Sequence, residues 1–146
     1  MFMEITESKQ FRENIRMLER CLEMVNRSQD SCCQSITLPQ CHALVEIGRK
    51  EKVTLKELAQ IIMLDTSTTS RTVDTLVRKN LAKRAVSLED RRSIAITLTK
   101  EGLRLFGEIE QNMDQKFKSI FDRIPEEQKA NVLHALNVII DAFHHN

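Results

Sequence analysis

Residues 65–99 constrain the fold of this chain more than any other stretch. They begin with small hydroxylated residues, continue as an amphipathic helix, and end in two strand-like runs around a charged turn. Asp65 or Thr66 is the predicted cap of that helix, and Asn80 is its predicted left-handed stop. Just before this stretch, Thr54 and Glu57 form a T-x-x-E capping signal for a separate short helix. Two short helices joined by a tight turn are typical of a helix-turn-helix, and the hairpin that follows predicts a β-wing.

The predicted hairpin consists of residues 81–87 and 93–98. Its second strand alternates well, since Ile94, Ile96 and Leu98 share one face and smaller residues share the other. Its tip lacks glycine, so the sequence favours a longer loop over a two-residue turn.

The remaining sequence predicts four further helices. Apolar residues recur at helical spacing over 7–28, over a second segment that Thr37 caps, and over 100–144, which Pro125 divides into two helices. The fold class is therefore mainly α (α+β): four helices, a strand, a wing, a strand and two helices. We expect one domain over 1–146, in which 37–99 form the winged helix-turn-helix part, while 7–28 and 100–144 supply dimerisation helices.

Positive charge is concentrated in the predicted helix-turn-helix and wing, although the whole chain has a net charge of only +1. Between residues 66 and 104, nine basic residues face four acidic ones, whereas the rest carries thirteen basic and seventeen acidic residues. A basic segment inside a neutral chain indicates phosphate binding, although a solvated charged face is the simpler alternative. No long apolar run or basic, apolar leader occurs, so we expect a cytoplasmic protein without a membrane partner.

Enzymatic motifs are absent from the sequence. No P-loop, Gly-rich nucleotide loop, G-x-S-x-G or H-E-x-x-H occurs. A thiol enzyme built on Cys41 and His42 is disfavoured, because adjacent helical residues point about 100° apart. The chain is therefore not expected to be an enzyme. A helical protein-interaction module is the other alternative, but it would leave the basic wing unexplained.

Residues 90–99, DRRSIAITLT, closely resemble the wing signature of the MarR family of bacterial transcription regulators. Residues 55–84 resemble that family's helix-turn-helix block, and the likeness extends over 10–143. The resemblance implies a homodimeric, sequence-specific DNA-binding regulator. It also implies repression of promoters and release of DNA when a small molecule, an oxidant or a metal binds.

The start of the recognition helix is the expected base-reading surface, because such residues meet base edges in the major groove. Arg71 is the strongest candidate for a base or phosphate contact, whereas Asp74 is expected to pair with a nearby arginine. The full set of predicted base readers is Ser67, Thr68, Thr69, Ser70, Arg71 and Thr72.

The wing supplies a second set of predicted contacts. Arg92 resembles the family arginine that enters the minor groove, where a narrow A·T-rich groove attracts a cation. Arg91, Lys83 and Arg84 are phosphate candidates, and Asp90 is expected to orient Arg92 or a neighbouring arginine. In a twofold dimer the recognition helices should lie about 34 Å apart, which predicts a pseudo-palindromic operator of double-stranded DNA.

Four cysteines form the other unusual feature. Cys32 and Cys33 are adjacent in a polar stretch, and Cys41 beside His42, or Cys21, could complete a sensor. No cofactor is required, but such thiols could bind a soft metal or metalloid, or could sense an oxidant. The alternatives are that Cys21 and Cys41 are small core residues, or that the inducer is an organic molecule in a cleft between helices.

Overall fold

The computed structural model describes residues 6–27, 36–86 and 94–145. In the order of the chain, the elements are α1 Glu7–Arg27, α2 Leu38–Lys50, β1 Val53–Thr54, α3 Leu55–Ile62, α4 Thr66–Arg78, β2 Ala82–Val86, β3 Ile94–Leu98, α5 Lys100–Asp122 and α6 Lys129–His144. This order confirms the predicted mainly helical fold with a wing. Among the described helices, none is long and apolar enough to cross a membrane.

The sheet has three antiparallel strands in the order β1-β3-β2. The wing register places Ala82 opposite Leu98 and Val86 opposite Ile94. Strand β1 was not predicted, because two residues are too few to show alternation. It nevertheless fixes the start of α3 against the wing, since its Val53 lies opposite Ile96 and is buried.

Local signals explain where the helices begin and end. The hydroxyl of Thr37 accepts a hydrogen bond from the backbone of Gln40, whose side chain accepts one from Thr37 in return. This reciprocal capping box satisfies two amide donors that the first turn of α2 cannot pair. Left-handed residues follow α3 and α4, with φ of 56° at Met63 and 60° at Asn80. Asn80 is thus the left-handed stop that the sequence predicted.

Contacts within the chain define two compact units, residues 1–109 and 110–146. The core of the first unit is assembled from α2, α3, α4, the sheet and the beginning of α5. Its largest fully buried side chains include Leu44, Ile47, Leu58, Leu76 and Ile96. The helix-turn-helix and the wing therefore share one core, which holds the recognition helix against the sheet.

The second unit contains the end of α5, a 3-10 turn at Glu126–Gln128, and α6. The turn follows Pro125, so the last α-helix begins later than the sequence predicted. The Lys129 ammonium lies 5.1 Å from the centre of the Phe121 ring. Helix α6 leaves a row of large apolar side chains exposed: Leu133, Leu136, Val138, Ile140 and Phe143.

Helix α1, which belongs to the first unit, is similarly exposed. Its uncovered apolar side chains are Phe11, Met17, Leu18, Leu22 and Met24. Apolar side chains at these spacings on two terminal helices are the feature on which the predicted dimer depends.

Candidate nucleic-acid interface

Asp65 organises the N-terminus of the recognition helix α4. Its carboxylate accepts hydrogen bonds from the Thr68 backbone N–H at 2.7 Å, the Thr68 hydroxyl at 2.7 Å and the Ser67 hydroxyl at 2.8 Å. These bonds, led by that of the Thr68 amide, hold the pKa of the Asp65 carboxyl well below its usual range. The carboxylate therefore stays ionised and acts as an N-cap across the ordinary pH range.

Two of the predicted base readers face the core instead. Thr69 is 0% exposed and Thr72 is 8% exposed. The Thr69 hydroxyl donates to the Asp65 carbonyl at 2.8 Å, and the Thr72 hydroxyl donates to the Thr68 carbonyl at 2.9 Å. This placement disagrees with the prediction that these two side chains read bases, because both hydroxyls are satisfied inside the helix and little of either side chain is exposed.

The remaining candidates lie at the accessible part of α4. Ser67 and Arg71 are exposed, while Thr68 and Ser70 are half-buried. One guanidinium nitrogen of Arg71 donates to the Thr68 hydroxyl oxygen over 3.4 Å, a long and weak hydrogen bond. This contact uses one of the five N–H donors of the exposed Arg71 guanidinium, and the group could also meet a base edge or a phosphate.

Arg84 connects the wing to the recognition helix. Its Nη1 lies 2.5 Å from Oδ1 of Asp74, and its Nη2 donates to the Ser70 carbonyl over 3.4 Å. The structure thus supplies the arginine partner that the sequence predicted for Asp74. These contacts hold the Arg84 guanidinium against α4, and its predicted contact with phosphate stays a prediction.

The base of the wing meets the end of α4 in a tight junction. The Thr99 backbone N–H donates to the Leu81 carbonyl at 3.1 Å, and the Thr99 hydroxyl donates to the Asn80 carbonyl at 2.7 Å. The same hydroxyl accepts from the Gly102 N–H at 3.0 Å and so caps α5. A side chain at Gly102 would put its Cβ 1.9 Å from the Leu81 carbonyl oxygen, so only glycine fits there.

The wing itself is described only in part. Lys83 is exposed on β2, opposite Thr97. Arg91, Arg92 and Asp90 lie outside the described residues, so their predicted contacts stay predictions.

The predicted sensor residues are spread over different environments. Cys21 is exposed on α1, Cys41 is 8% exposed in α2, and His42 beside it is exposed. Cys32 and Cys33 lie outside the described residues. In the part of the chain that the structure describes, no three His, Cys, Asp or Glu residues come together as a metal site.

Sequence reasoning missed two features of this surface. It treated Asp65 only as a helix cap. A capping carboxylate can also accept hydrogen bonds from hydroxyl side chains two and three residues later, here those of Ser67 and Thr68. Sequence reasoning also overlooked Gln40, whose side-chain oxygen lies 3.4 Å from the ammonium of Lys79 and links the start of α2 to the end of α4. The Asp-x-Ser-Thr spacing was a readable signal, whereas the link between Gln40 and Lys79 depends on tertiary packing.

Comparison with known proteins agrees with this architecture. The MarR family model matches residues 36–94, which include α2 to α4, β2 and the start of β3. The HTH-type transcriptional regulator SarZ of Staphylococcus haemolyticus is 29% identical over 105 residues, 72% of this chain and 70% of that protein. The matched region, residues 36–94, is thus a MarR-family helix-turn-helix and wing, and the relative SarZ is a transcriptional regulator.

Two further proteins are similar to this chain over different lengths. The organic hydroperoxide resistance transcriptional regulator of Bacillus subtilis is 34% identical over 71 residues, about half of each chain (49% and 48%). The crystal structure of FabT from Streptococcus pneumoniae in complex with DNA superposes with a TM-score of 0.81 at 21% identity, covering 95% of this chain and 99% of that one. That superposition supports the winged-helix fold over the length of the chain.

Proposed function

We propose that this protein is a MarR-family regulator and acts as a homodimeric repressor that binds a pseudo-palindromic operator. The N-terminus of α4 enters the major groove, and the wing arginine Arg92 enters the adjacent minor groove. The observation that carries this proposal is the accessible end of α4, where Ser67 and Arg71 are exposed on a helix whose other face is fixed in the core.

Several features support DNA as the partner of this surface. Arg71, in the second turn of α4, is exposed and offers a guanidinium to a phosphate or a base edge. Lys83, on the adjacent strand β2, is exposed and adds positive charge. The Arg84–Asp74 ion pair fixes β2 against α4, so that groove contacts from the wing and the helix have a defined spacing.

The dimer is supported by the exposed apolar side chains of α1 and α6. Leu18, Leu22, Leu133 and Phe143, among others, are more than two-fifths exposed in the single chain. Burial of apolar area stabilises an interface by roughly 25 cal/mol per Å², and a second copy would cover these side chains by symmetry. Sedimentation at micromolar concentration should therefore give a dimer.

A charge-matched set of variants tests the DNA-binding surface. Arg71→Ala and Arg92→Ala should each weaken operator binding about fivefold or more, because each removes a groove or phosphate contact. Arg104→Ala is the control, since this exposed arginine pairs with Glu101 and Glu108 on α5. Equal losses in all three variants would show only a general effect of charge and would contradict the proposed surface.

We also propose that an effector releases the DNA, either through the cysteines or through an organic ligand. Exposure of Cys21 supports accessible thiol chemistry, and one relative is named for organic hydroperoxide resistance. The experiment compares operator affinity of the reduced protein with and without an organic hydroperoxide, arsenite or zinc, and repeats it with Cys32 and Cys33 changed to Ser. Loss of affinity that the double variant abolishes would assign the response to those thiols, while no response to any of the three would favour an organic ligand.

A further inference from the structure

The hydroxyl protons of Ser67 and Thr68 are both committed to one acceptor. A hydroxyl has one proton to donate and two lone pairs that accept. The Ser67 proton goes to Oδ1 of Asp65 at 2.8 Å, and the Thr68 proton goes to Oδ2 at 2.7 Å. An ionised carboxylate only accepts hydrogen bonds, so the direction of both bonds is fixed.

We propose that Asp65 is a specificity-determining residue: by holding the protons of Ser67 and Thr68, it makes these hydroxyls hydrogen-bond acceptors toward DNA. This inference rests on the proposed function, because it requires the N-terminus of α4 to lie in the major groove. Asp65 itself acts through its neighbours and is a positioning residue for the hydroxyls.

The chemical consequence is a preference for base amino groups. In the major groove the exposed donors are N6 of adenine and N4 of cytosine, while N7 of purines, O6 of guanine and O4 of thymine are acceptors. A hydroxyl oxygen whose proton is already donated can accept a hydrogen bond from these amino groups, and it is repelled by the acceptor atoms N7, O6 and O4. It is equally unsuited to donate to a phosphate oxygen.

Reversing this polarity would require breaking a strong bond. Hydrogen bonds to an ionised acceptor are roughly twice as strong as bonds between neutral groups. A hydroxyl that turned its proton toward N7 or O6 would exchange such a bond for a neutral one. Ser67 is exposed and keeps two accepting positions, whereas Thr68 keeps one, since Arg71 already donates to it over 3.4 Å.

The test uses single-atom changes in the operator with the full-length protein. At each adenine under α4, nebularine removes the N6 amino group, and 7-deazaadenine removes the N7 acceptor while keeping the amino group. At each cytosine, 2-pyrimidinone removes the N4 amino group. Every duplex is titrated by fluorescence anisotropy against the wild type, Ser67→Ala and Asp65→Asn.

We expect amino deletion at one or more positions to weaken wild-type binding about three- to tenfold, with 7-deaza substitution neutral at the same positions. Ser67→Ala should abolish the sensitivity at the position that Ser67 reads. Asp65→Asn should reduce the preference for the amino group, because its amide can donate to a hydroxyl and release that hydroxyl's proton. Asparagine is also a good N-cap, and melting curves followed by circular dichroism check that α4 is retained.

Two results would overturn the inference while leaving the proposed function intact. One is a loss of operator affinity on 7-deaza substitution, with no loss on amino deletion, at the positions where the Ser67 or Thr68 hydroxyl contributes to binding. The other is an equal loss of affinity for operator and scrambled DNA in Ser67→Ala, which would assign that hydroxyl to a phosphate. Absence of any preference for operator over scrambled DNA would instead reject the proposed function, and the inference with it.

Discussion

Replacement of Gly102 by alanine is expected to loosen the junction between the recognition helix and the wing. The new Cβ would lie 1.9 Å from the Leu81 carbonyl oxygen and 3.2 Å from the Leu98 Cβ. Carbon and oxygen atoms normally approach to about 3.3–3.6 Å, so the backbone would have to move by roughly 1.5 Å. That displacement exceeds what the two hydrogen bonds of Thr99 can absorb.

The magnitude follows from the contacts that would be lost. The bonds from Thr99 to the carbonyls of Leu81 and Asn80 are 3.1 and 2.7 Å long, and each is worth about 1 kcal/mol net. Displaced packing around an added methyl group adds about 1–3 kcal/mol. Alanine returns at most about 1 kcal/mol through its helix propensity. The free energy of unfolding should therefore fall by about 2–4 kcal/mol.

Gly107→Ala on the same helix is the matched control. A Cβ at Gly107 meets no atom within 4 Å, and the position is exposed. This variant should gain about 0.5–1 kcal/mol through lower unfolded-state entropy and better helix propensity. Urea unfolding followed by circular dichroism, at one fixed protein concentration, measures both variants. A Gly102→Ala protein as stable as the wild type would refute the reasoning about this junction.

Three further predictions concern α4 and its surroundings. Met63→Gly should stabilise the protein by about 1 kcal/mol in thermal unfolding, because Met63 adopts a left-handed φ of 56° and its side chain is 64% exposed. Asn80→Gly, at φ of 60°, should stabilise the protein less, because asparagine tolerates this conformation. The pKa of Asp65 is lowered in the folded state, so the stabilisation that its carboxylate provides is complete above the ordinary carboxyl pKa and is lost as the pH falls below that value. Asp65→Asn should therefore flatten the decrease in melting temperature on acidification below about pH 4. An unchanged slope would contradict this. Asp74→Asn should weaken operator binding severalfold. It should lower the free energy of unfolding by less than about 1 kcal/mol, because the side chains of Arg84 and Asp74 are 34% and 47% exposed and water screens their ion pair. Stronger operator binding would instead indicate that Arg84 contacts phosphate.

The general fold could be predicted because its signals are local. Asp65 as a cap, Asn80 as a stop and the alternation of Ile94, Ile96 and Leu98 each reflect the chemistry of a few neighbouring residues. Strand β1 could not be predicted, because its pairing with β3 joins residues about forty positions apart and leaves no local periodicity.

The candidate site was predicted less accurately, because hydroxyl side chains are ambiguous. Thr69 and Thr72 have the chemistry of DNA contacts but the spacing of the buried stripe that includes Val73 and Leu76. Their hydroxyls can be satisfied by carbonyls of the preceding turn, so threonine is compatible with both places. The contacts of Arg84 with α4 could not be predicted for a different reason: the strand register, not the charge of Arg84, places it on the same face as Ile96 and within reach of α4.

Hydroxyl-radical footprinting of DNA upstream of the protein's own gene tests the central claim most directly. A dimer that inserts two α4 helices and two wings should protect one face of the duplex, in two halves related by a twofold axis and centred about 34 Å, or one helical turn, apart. The protection should disappear with Arg71→Ala at a concentration where Arg104→Ala still protects. Uniform protection without symmetric halves, or identical footprints from both variants, would contradict DNA recognition through the N-terminus of α4.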